Sequence, residues 1–213
     1  VPTPLLNVAA TCVGTHALGP GRRSVVWVQG CPFDCTGCVA PEWIPQRTAR
    51  LADSCDLAAE LLSDPDVTGL TFSGGEPMLQ AEALAAVARH ARRTRDVDVV
   101  CFTGFTLERL RTRPPSPGVA DLLGEVDVLI DGVYVAARDD GRGLRGSTNQ
   151  RIHRLTGRLS GFDFEGAHRQ AELHISGGEV LMVGVPPRGL LPALDDVTGT
   201  VTGAEIGSQE ETA

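Results

Sequence analysis

The chain has 213 residues, 42% apolar and 22% charged, with 27 carboxylates against 19 basic side chains and a formal charge of -8. That is the composition of one ordinary soluble domain with enough apolar residues for a sizeable core, and its acidity argues against nucleic acid as the main partner. No run approaches the roughly 20 consecutive apolar residues that cross a bilayer, and Val1-Pro2-Thr3-Pro4 does not read as a secretory leader, so a cytoplasmic protein without a membrane partner is expected.

In chain order, residues 24–29 read as a buried strand that runs straight into a loop carrying three cysteines. Residues 56–62 read as a short helix with Asp53 and Ser54 as candidate caps, and residues 67–72 as the next strand. After Ser73-Gly74-Gly75-Glu76-Pro77 a helix is predicted over 78–93, with Met78, Ala81, Ala85 and Ala88 on one stripe. Its last turn carries Arg89, His90, Arg92 and Arg93, the placement that the helix dipole favours. Residues 97–103 form a predicted third strand, 106–111 and 119–123 short helices, and 126–130 a fourth strand ending at Asp131-Gly132.

Strand and helix alternating at these intervals predict an α/β domain with a parallel sheet and right-handed crossovers. Such sheets bind ligands at the carboxyl ends of their strands, which here hold the cysteine loop, Gly74-Gly75-Glu76, Thr103-Gly104 and Asp131-Gly132. Eight full units do not fit before residue 160, so an incomplete barrel or open curved sheet is expected. Residues 171–176 and 179–185 flank Gly177-Gly178 and read as an antiparallel hairpin with a tight turn. We expect one domain over 1–194, with a motif-bearing core at about 18–160, a hairpin at about 170–186 and a disordered tail over 195–213.

Six cysteines in a chain of this size do not form the disulfide framework of a small secreted fold. Cys31, Cys35 and Cys38 fall within eight residues, whereas Cys12, Cys55 and Cys101 are scattered and read as small hydrophobes. Three soft thiolates on one loop can wrap a single centre. Structural zinc wants a fourth ligand at matching short spacing, and the nearest candidates, His16 and Cys55, stand 15 and 17 residues away. Three ligands on a four-iron cluster instead leave one iron open to a substrate or cofactor; uncoordinated thiols are the third alternative.

Ser73, Gly74, Gly75 and Glu76 lie between a strand and a helix. Two glycines let backbone approach a ligand closely, N–H groups at a helix start attract anionic groups, and Glu76 adds a fixed negative charge suited to an ammonium. A plain turn with helix caps explains the same letters. Ser176-Gly177-Gly178-Glu179 repeats them without a following Pro or amphipathic helix, so context assigns the first copy to a ligand site and the second to a turn. Thr103-Gly104 and Asp131-Gly132 can equally be strand terminators, the arginines from Arg145 to Arg158 a solvated face, and the five histidines show no metal-site spacing.

The triple-cysteine pattern, followed about 35 residues later by Gly74-Gly75-Glu76-Pro77, resembles the radical S-adenosylmethionine (SAM) superfamily. Within it, Gly19-Pro20-Gly21-Arg22, Trp27-Val28-Gln29-Gly30-Cys31-Pro32 and Cys35-Thr36-Gly37-Cys38 resemble the anaerobic ribonucleotide reductase activating enzymes, relatives of pyruvate formate-lyase activating enzyme. Thr103-Gly104-Phe105-Thr106, the run 127–132 and the run 145–152 continue the match, which covers roughly residues 18–154. Leu18 stands where the activases usually have Asp. The resemblance implies a partial βα barrel of the radical SAM type, past whose compact core the C-terminal β-hairpin and tail extend, and one [4Fe-4S] cluster on Cys31, Cys35 and Cys38. It places the methionyl part of SAM against Gly74, Gly75 and Glu76 beside Ser73. It puts Gly37 where many members carry an aromatic near the adenine, Asn149 and Arg151 near the ribose or carboxylate, and Thr103 and Asp131 at the same mouth. It also implies reductive cleavage of SAM to a 5′-deoxyadenosyl radical, a glycyl-radical enzyme as partner and a flavodoxin- or ferredoxin-type reductant. Modification of a peptide or small molecule by the same chemistry, and a non-catalytic metal-binding module, are the alternatives.

Overall fold

The computed structural model describes residues 4–176 and 179–198. Seven strands form one sheet: β1 (Leu5–Thr15), β2 (Arg23–Val28), β3 (Arg50–Asp53), β4 (Gly69–Gly74), β5 (Asp98–Thr103), β6 (Val128–Asp131) and β7 (Arg151–Arg154), in the spatial order β3-β1-β2-β4-β5-β6-β7. β2, β4, β5 and β6 are parallel neighbours, as the strand–helix alternation predicts. The flanking strands are antiparallel, so the sheet is mixed. β1 and β2 are joined by residues 16–22 alone, and a parallel crossover needs a dozen or more residues. The sequence reading missed β1, whose apolar alternation is blurred by small and polar residues and whose pairing with β2 shifts register twice, the second time at Gly14 (φ +84°).

Each parallel strand buries both faces, which is why these strands read as continuous apolar runs. Val26 and Val28 of β2, Phe72 of β4, Val99 and Cys101 of β5 and Leu129 of β6 pack with four helices: α1 (Ser54–Leu61), α2 (Ala81–Thr94), α3 (Leu107–Thr112) and α4 (Val119–Glu125). The odd-and-even partners face the other way. Val25 and Trp27 pack with Val183, Leu181 and Val185, while Val100, Val128 and Ile130 meet Leu144 and Phe164. The predicted helix over 78–93 divides into a 3-10 turn at Pro77–Gln80 and α2 proper. Pro77 suits the first helical position, where its missing N–H goes unused in any case. Asp53 caps α1 through its side chain, accepting from the N–H groups of Cys55 and Asp56.

A separate two-stranded ribbon, β8 (Ala171–Ser176) with β9 (Glu179–Gly184), is antiparallel and covers the Trp27 face of the sheet. Its predicted Gly177-Gly178 turn lies outside the described residues. A last helix, α5 (Leu190–Thr198), runs four residues into the segment expected as a disordered tail, which corrects the boundary; the rest of that segment is outside the described residues. No described helix is long and apolar enough to cross a membrane.

Candidate radical cofactor site

The cysteine loop is built by backbone pairing at its base and a tight turn at its tip. Gly30 and Cys31 donate their N–H groups to the carbonyls of Trp43 and Ile44, closing the loop where β2 ends. Trp43 packs on Trp27 with ring centroids 5.5 Å apart, and the Gln29 amide donates to the Pro45 carbonyl from beneath. At the tip, Cys38 N–H donates to the Cys35 carbonyl at 3.0 Å, and Gly37 supplies the third turn position at φ +77°. That backbone, which only glycine adopts cheaply, turns Cys38 back beside Cys35. All three cysteines are free and half-buried, alternating with exposed neighbours, and all three line one cleft of about 220 Å³ at the carboxyl ends of β2, β4, β5 and β6.

Three thiols lining one cleft are the donor set that a four-iron cluster takes, each thiolate on a different iron. Burial pushes the Cys31 thiol up to about 11, and burial also raises Cys38. Both stay protonated until a metal displaces the proton, the usual coupling of thiolate ligation to deprotonation. The donor set therefore fits a [4Fe-4S] cluster with three protein ligands.

The Gly-Gly pair has a role that its letters did not disclose. A Cβ on Gly74 (φ +108°) would run into the backbone of Trp27 and Val28, and one on Gly75 into the backbone of Gly30. Gly75 N–H donates to the Val28 carbonyl at 2.7 Å and Glu76 N–H to that of Gly30 at 2.9 Å. The pair thus stitches the end of β4 to the root of the cysteine loop, fixing one cofactor motif against the other. Ser73, Gly74, Gly75 and Glu76 all line the cleft, as does Thr103.

Glu76 is not a free carboxylate offered to a ligand. It is 1% exposed and accepts from Met78 N–H (2.9 Å), the Thr103 hydroxyl (2.7 Å) and Gly104 N–H (2.8 Å). Burial among these neutral donors pushes its carboxyl up to about 7, so the expected fixed charge is only partly present at neutral pH.

Asp131, Asn149 and Arg151 are not among the cleft residues. Asp131 is fully buried and accepts from Leu107 N–H, capping the start of α3, and from Arg151 Nε and Nη2, while Arg151 Nη1 and the shared Nη2 donate to Glu108. Asn149 donates its amide to the Val133 carbonyl. Gly37 stands beside the cleft, its missing side chain facing Tyr134 and Ala136. Further lining of the cleft comes instead from Gly132, Val133, Tyr134, Asp139, Gly146, Gln150, Arg169 and the segment 184–186, with Tyr134 next to the Gly37 turn. Tyr134, the single tyrosine, follows a strand end and was visible to a strand-tip argument; Arg169 and 184–186 carry no local signal.

Leu18 reaches the cleft from the loop before β2. Its carbonyl accepts the Thr71 hydroxyl, and the fully buried Arg23 holds the same loop through the Pro20 carbonyl while pairing with Asp98 at 2.5 Å. Leu18, Trp27, Phe33, Trp43, Ile44 and Phe102 give the cleft a largely apolar lining.

A protein-family model described as a 4Fe-4S single cluster domain matches residues 17–153. An anaerobic ribonucleoside-triphosphate reductase-activating protein of Vibrio cholerae is 34% identical over 149 residues, 65% of this chain and 91% of that protein. The protein of the same name from Enterobacteria phage T4 is 31% identical over 139 residues, covering 63% and 85%. A pyruvate formate-lyase-activating enzyme of Clostridium pasteurianum is 37% identical over 76 residues, 33% of this chain and 32% of that enzyme.

Proposed function

The chain belongs to the 4Fe-4S single-cluster family of radical SAM activating enzymes, and on that premise we propose that it installs a glycyl radical on an anaerobic ribonucleoside-triphosphate reductase. The observation that carries the reading is the convergence of Cys31, Cys35 and Cys38 with Ser73–Glu76 on one cleft at the strand ends. The thiols of Cys31, Cys35 and Cys38 would lose their protons to hold the cluster, and Ser73–Glu76 in the same cleft would take SAM. When bound, the cluster would supply the single electron for reductive cleavage of the C5′–S bond of SAM to methionine and a 5′-deoxyadenosyl radical, which would take the hydrogen atom from a glycine Cα of the partner.

The protein's own contribution is placement and dryness. The backbone stitches at Gly75 and Glu76 hold the turn that would take the methionyl part of SAM in fixed register with Cys31. Thr103 and Glu76 share a hydrogen bond that ties the ends of β4 and β5 together. Phe33, packed edge-on against Phe105 at 4.8 Å between centroids, shields the cleft from water together with Trp43 and Leu18. Asp131, Asn149 and Arg151 tie the ends of β6 and β7 outside the cleft lining, and Gly37, without a side chain, leaves room for Tyr134 beside the Cys35–Cys38 turn. The same reading takes the mixed sheet as the incomplete βα barrel of the superfamily within a single domain, the setting as cytoplasmic and the electron source as a flavodoxin or ferredoxin.

The test is anaerobic. Iron-loaded, reduced protein given SAM and the reductase should form 5′-deoxyadenosine and a glycyl-radical signal in electron paramagnetic resonance. Cys35→Ala should lose both, together with its iron. Full four-iron loading of that variant overturns the ligand assignment, and 5′-deoxyadenosine without a signal on the reductase overturns the partner.

A further inference from the structure

The ribbon of β8 and β9 has two unlike faces. Cross-strand partners share a face, and the face carrying Glu172, His174, Leu181 and Val183 is bound to the sheet. Val183 is fully buried in the Trp27 cluster, the His174 ring lies 3.7 Å from Cys12 Sγ, and Glu172 accepts from the Thr15 hydroxyl and His16 N–H, both at 2.8 Å. These contacts hold the ribbon in place before any partner arrives.

The other face pairs Ala171 with Gly184, Leu173 with Met182 and Ile175 with Val180. An antiparallel ribbon with one face on the core ordinarily turns polar side chains to water on the other. Here Leu173 is 48% exposed, Ile175 74% and Val180 57%. A contiguous apolar face of this kind marks an interaction surface. It also has a direction. Its first pair ends in Gly184, which lines the cofactor cleft, and the next two pairs lie about 7 and about 14 Å further along the strands. Val39 and Val133, exposed by 52% and 37%, line the cleft themselves, so apolar surface runs from the cleft onto the ribbon.

We propose that the outer face of the ribbon docks the protein that delivers a glycine to the cleft, the reductase, through an apolar patch beside that glycine. This deepens the function proposed above and rests on it. Hydrogen transfer from a glycine requires that glycine inside the cleft, so the protein carrying it covers the residues around the opening. Gly184 belongs both to the cleft and to the outer face, which puts cleft and ribbon in one footprint. A second copy of this chain has no such reason to reach the cleft. Leu173, Ile175 and Val180 are not among the cleft residues, which separates docking from cofactor binding.

The probe is the anaerobic reductase, added to the iron-loaded full chain. Ile175→Thr combined with Val180→Thr removes apolar surface and keeps β-branched side chains that suit a strand. With iron content as in the parent, the double variant should bind the reductase about tenfold more weakly by anaerobic calorimetry. Its Kd for SAM should stay within twofold of the parent. Leu51→Thr is the control: Leu51 is 56% exposed on the edge strand β3 and outside the cleft lining, and its replacement should shift Kd for the reductase less than twofold. An unchanged Kd in the double variant, or an equal loss in Leu51→Thr, overturns the proposal. So does a matching loss of SAM affinity, which makes the ribbon a support of the cofactor cleft. A parent dimer that the double variant dissociates in sedimentation assigns the face to a second copy and overturns it too. A parent that binds the reductase through this face but transfers no radical overturns the function and leaves the docking surface standing, whereas a parent that binds no reductase overturns both.

Discussion

Two carboxylates occupy equivalent places in the sheet and meet opposite electrostatic fates. Glu76 follows β4 and Asp131 ends β6, two parallel strands on either side of β5; both are buried, and each accepts an N–H from the start of a helical segment. Glu76 has only neutral donors, and burial dominates: its carboxyl rises to about 7. Asp131 also pays desolvation, but Arg151, the Leu107 N–H and His153, whose Nε2 lies 2.9 Å away, outweigh it and hold the carboxyl below its ordinary value. Burial alone therefore does not decide the charge of a strand-tip acid; the partner's charge does. The acid beside the cysteine loop carries the weaker negative charge, and the one clamped by Arg151 the full charge.

The stitch that holds Glu76 in place offers the largest structural effect. Gly74→Ala sets a side chain against the backbone of Val28 at a positive φ, and strain plus overpacking should cost about 4 kcal/mol. Chemical unfolding of the anaerobic protein checks this, and a variant as stable as the parent would show that β4 and the cysteine loop are not rigidly joined.

Next comes the charge of Glu76 itself. Its folded-state pKa of about 7 lies above the ordinary 4.5, so the folded protein binds the extra proton between these values. Stability from this group is present at low pH and lost as pH rises towards 7, in all of the order of 3 kcal/mol at about 1.4 kcal/mol per unit. Glu76→Gln should remove this slope from stability measured between pH 5.5 and pH 8. A slope unchanged by the substitution would mean that Glu76 is ionised throughout, as the sequence reading expected.

Asp131 gives the smaller effect and the opposite sign. Its stabilisation is present above the ordinary carboxylate value and lost only as pH falls through its lowered folded pKa, outside the window of Glu76. Arg151→Ala removes a half-exposed partner, so solvent limits the cost to about 2 kcal/mol. Calorimetry with SAM sharpens the point: weakened SAM binding at unchanged stability would return Arg151 to the cofactor, whereas lost stability with near-parent affinity keeps it as the clamp on Asp131.

The sequence by itself determined what depends on local spacing. Cys31, Cys35 and Cys38 were legible because a turn closed by glycine at position 37 needs no distant residue to bring its ends together. The four parallel strands were legible because strands buried on both faces are continuously apolar, whatever covers them. Tertiary structure decided the rest. β1 became a strand by pairing with β2 and β3, since its own residues alternate poorly. Gly74 and Gly75 are required by the backbone of residues 27–30, more than forty positions earlier, a clash that no local pattern encodes. Arg169 joins the cleft only because a ribbon from the end of the chain packs against the Trp27 face, and such long-range burial is set by the whole core at once.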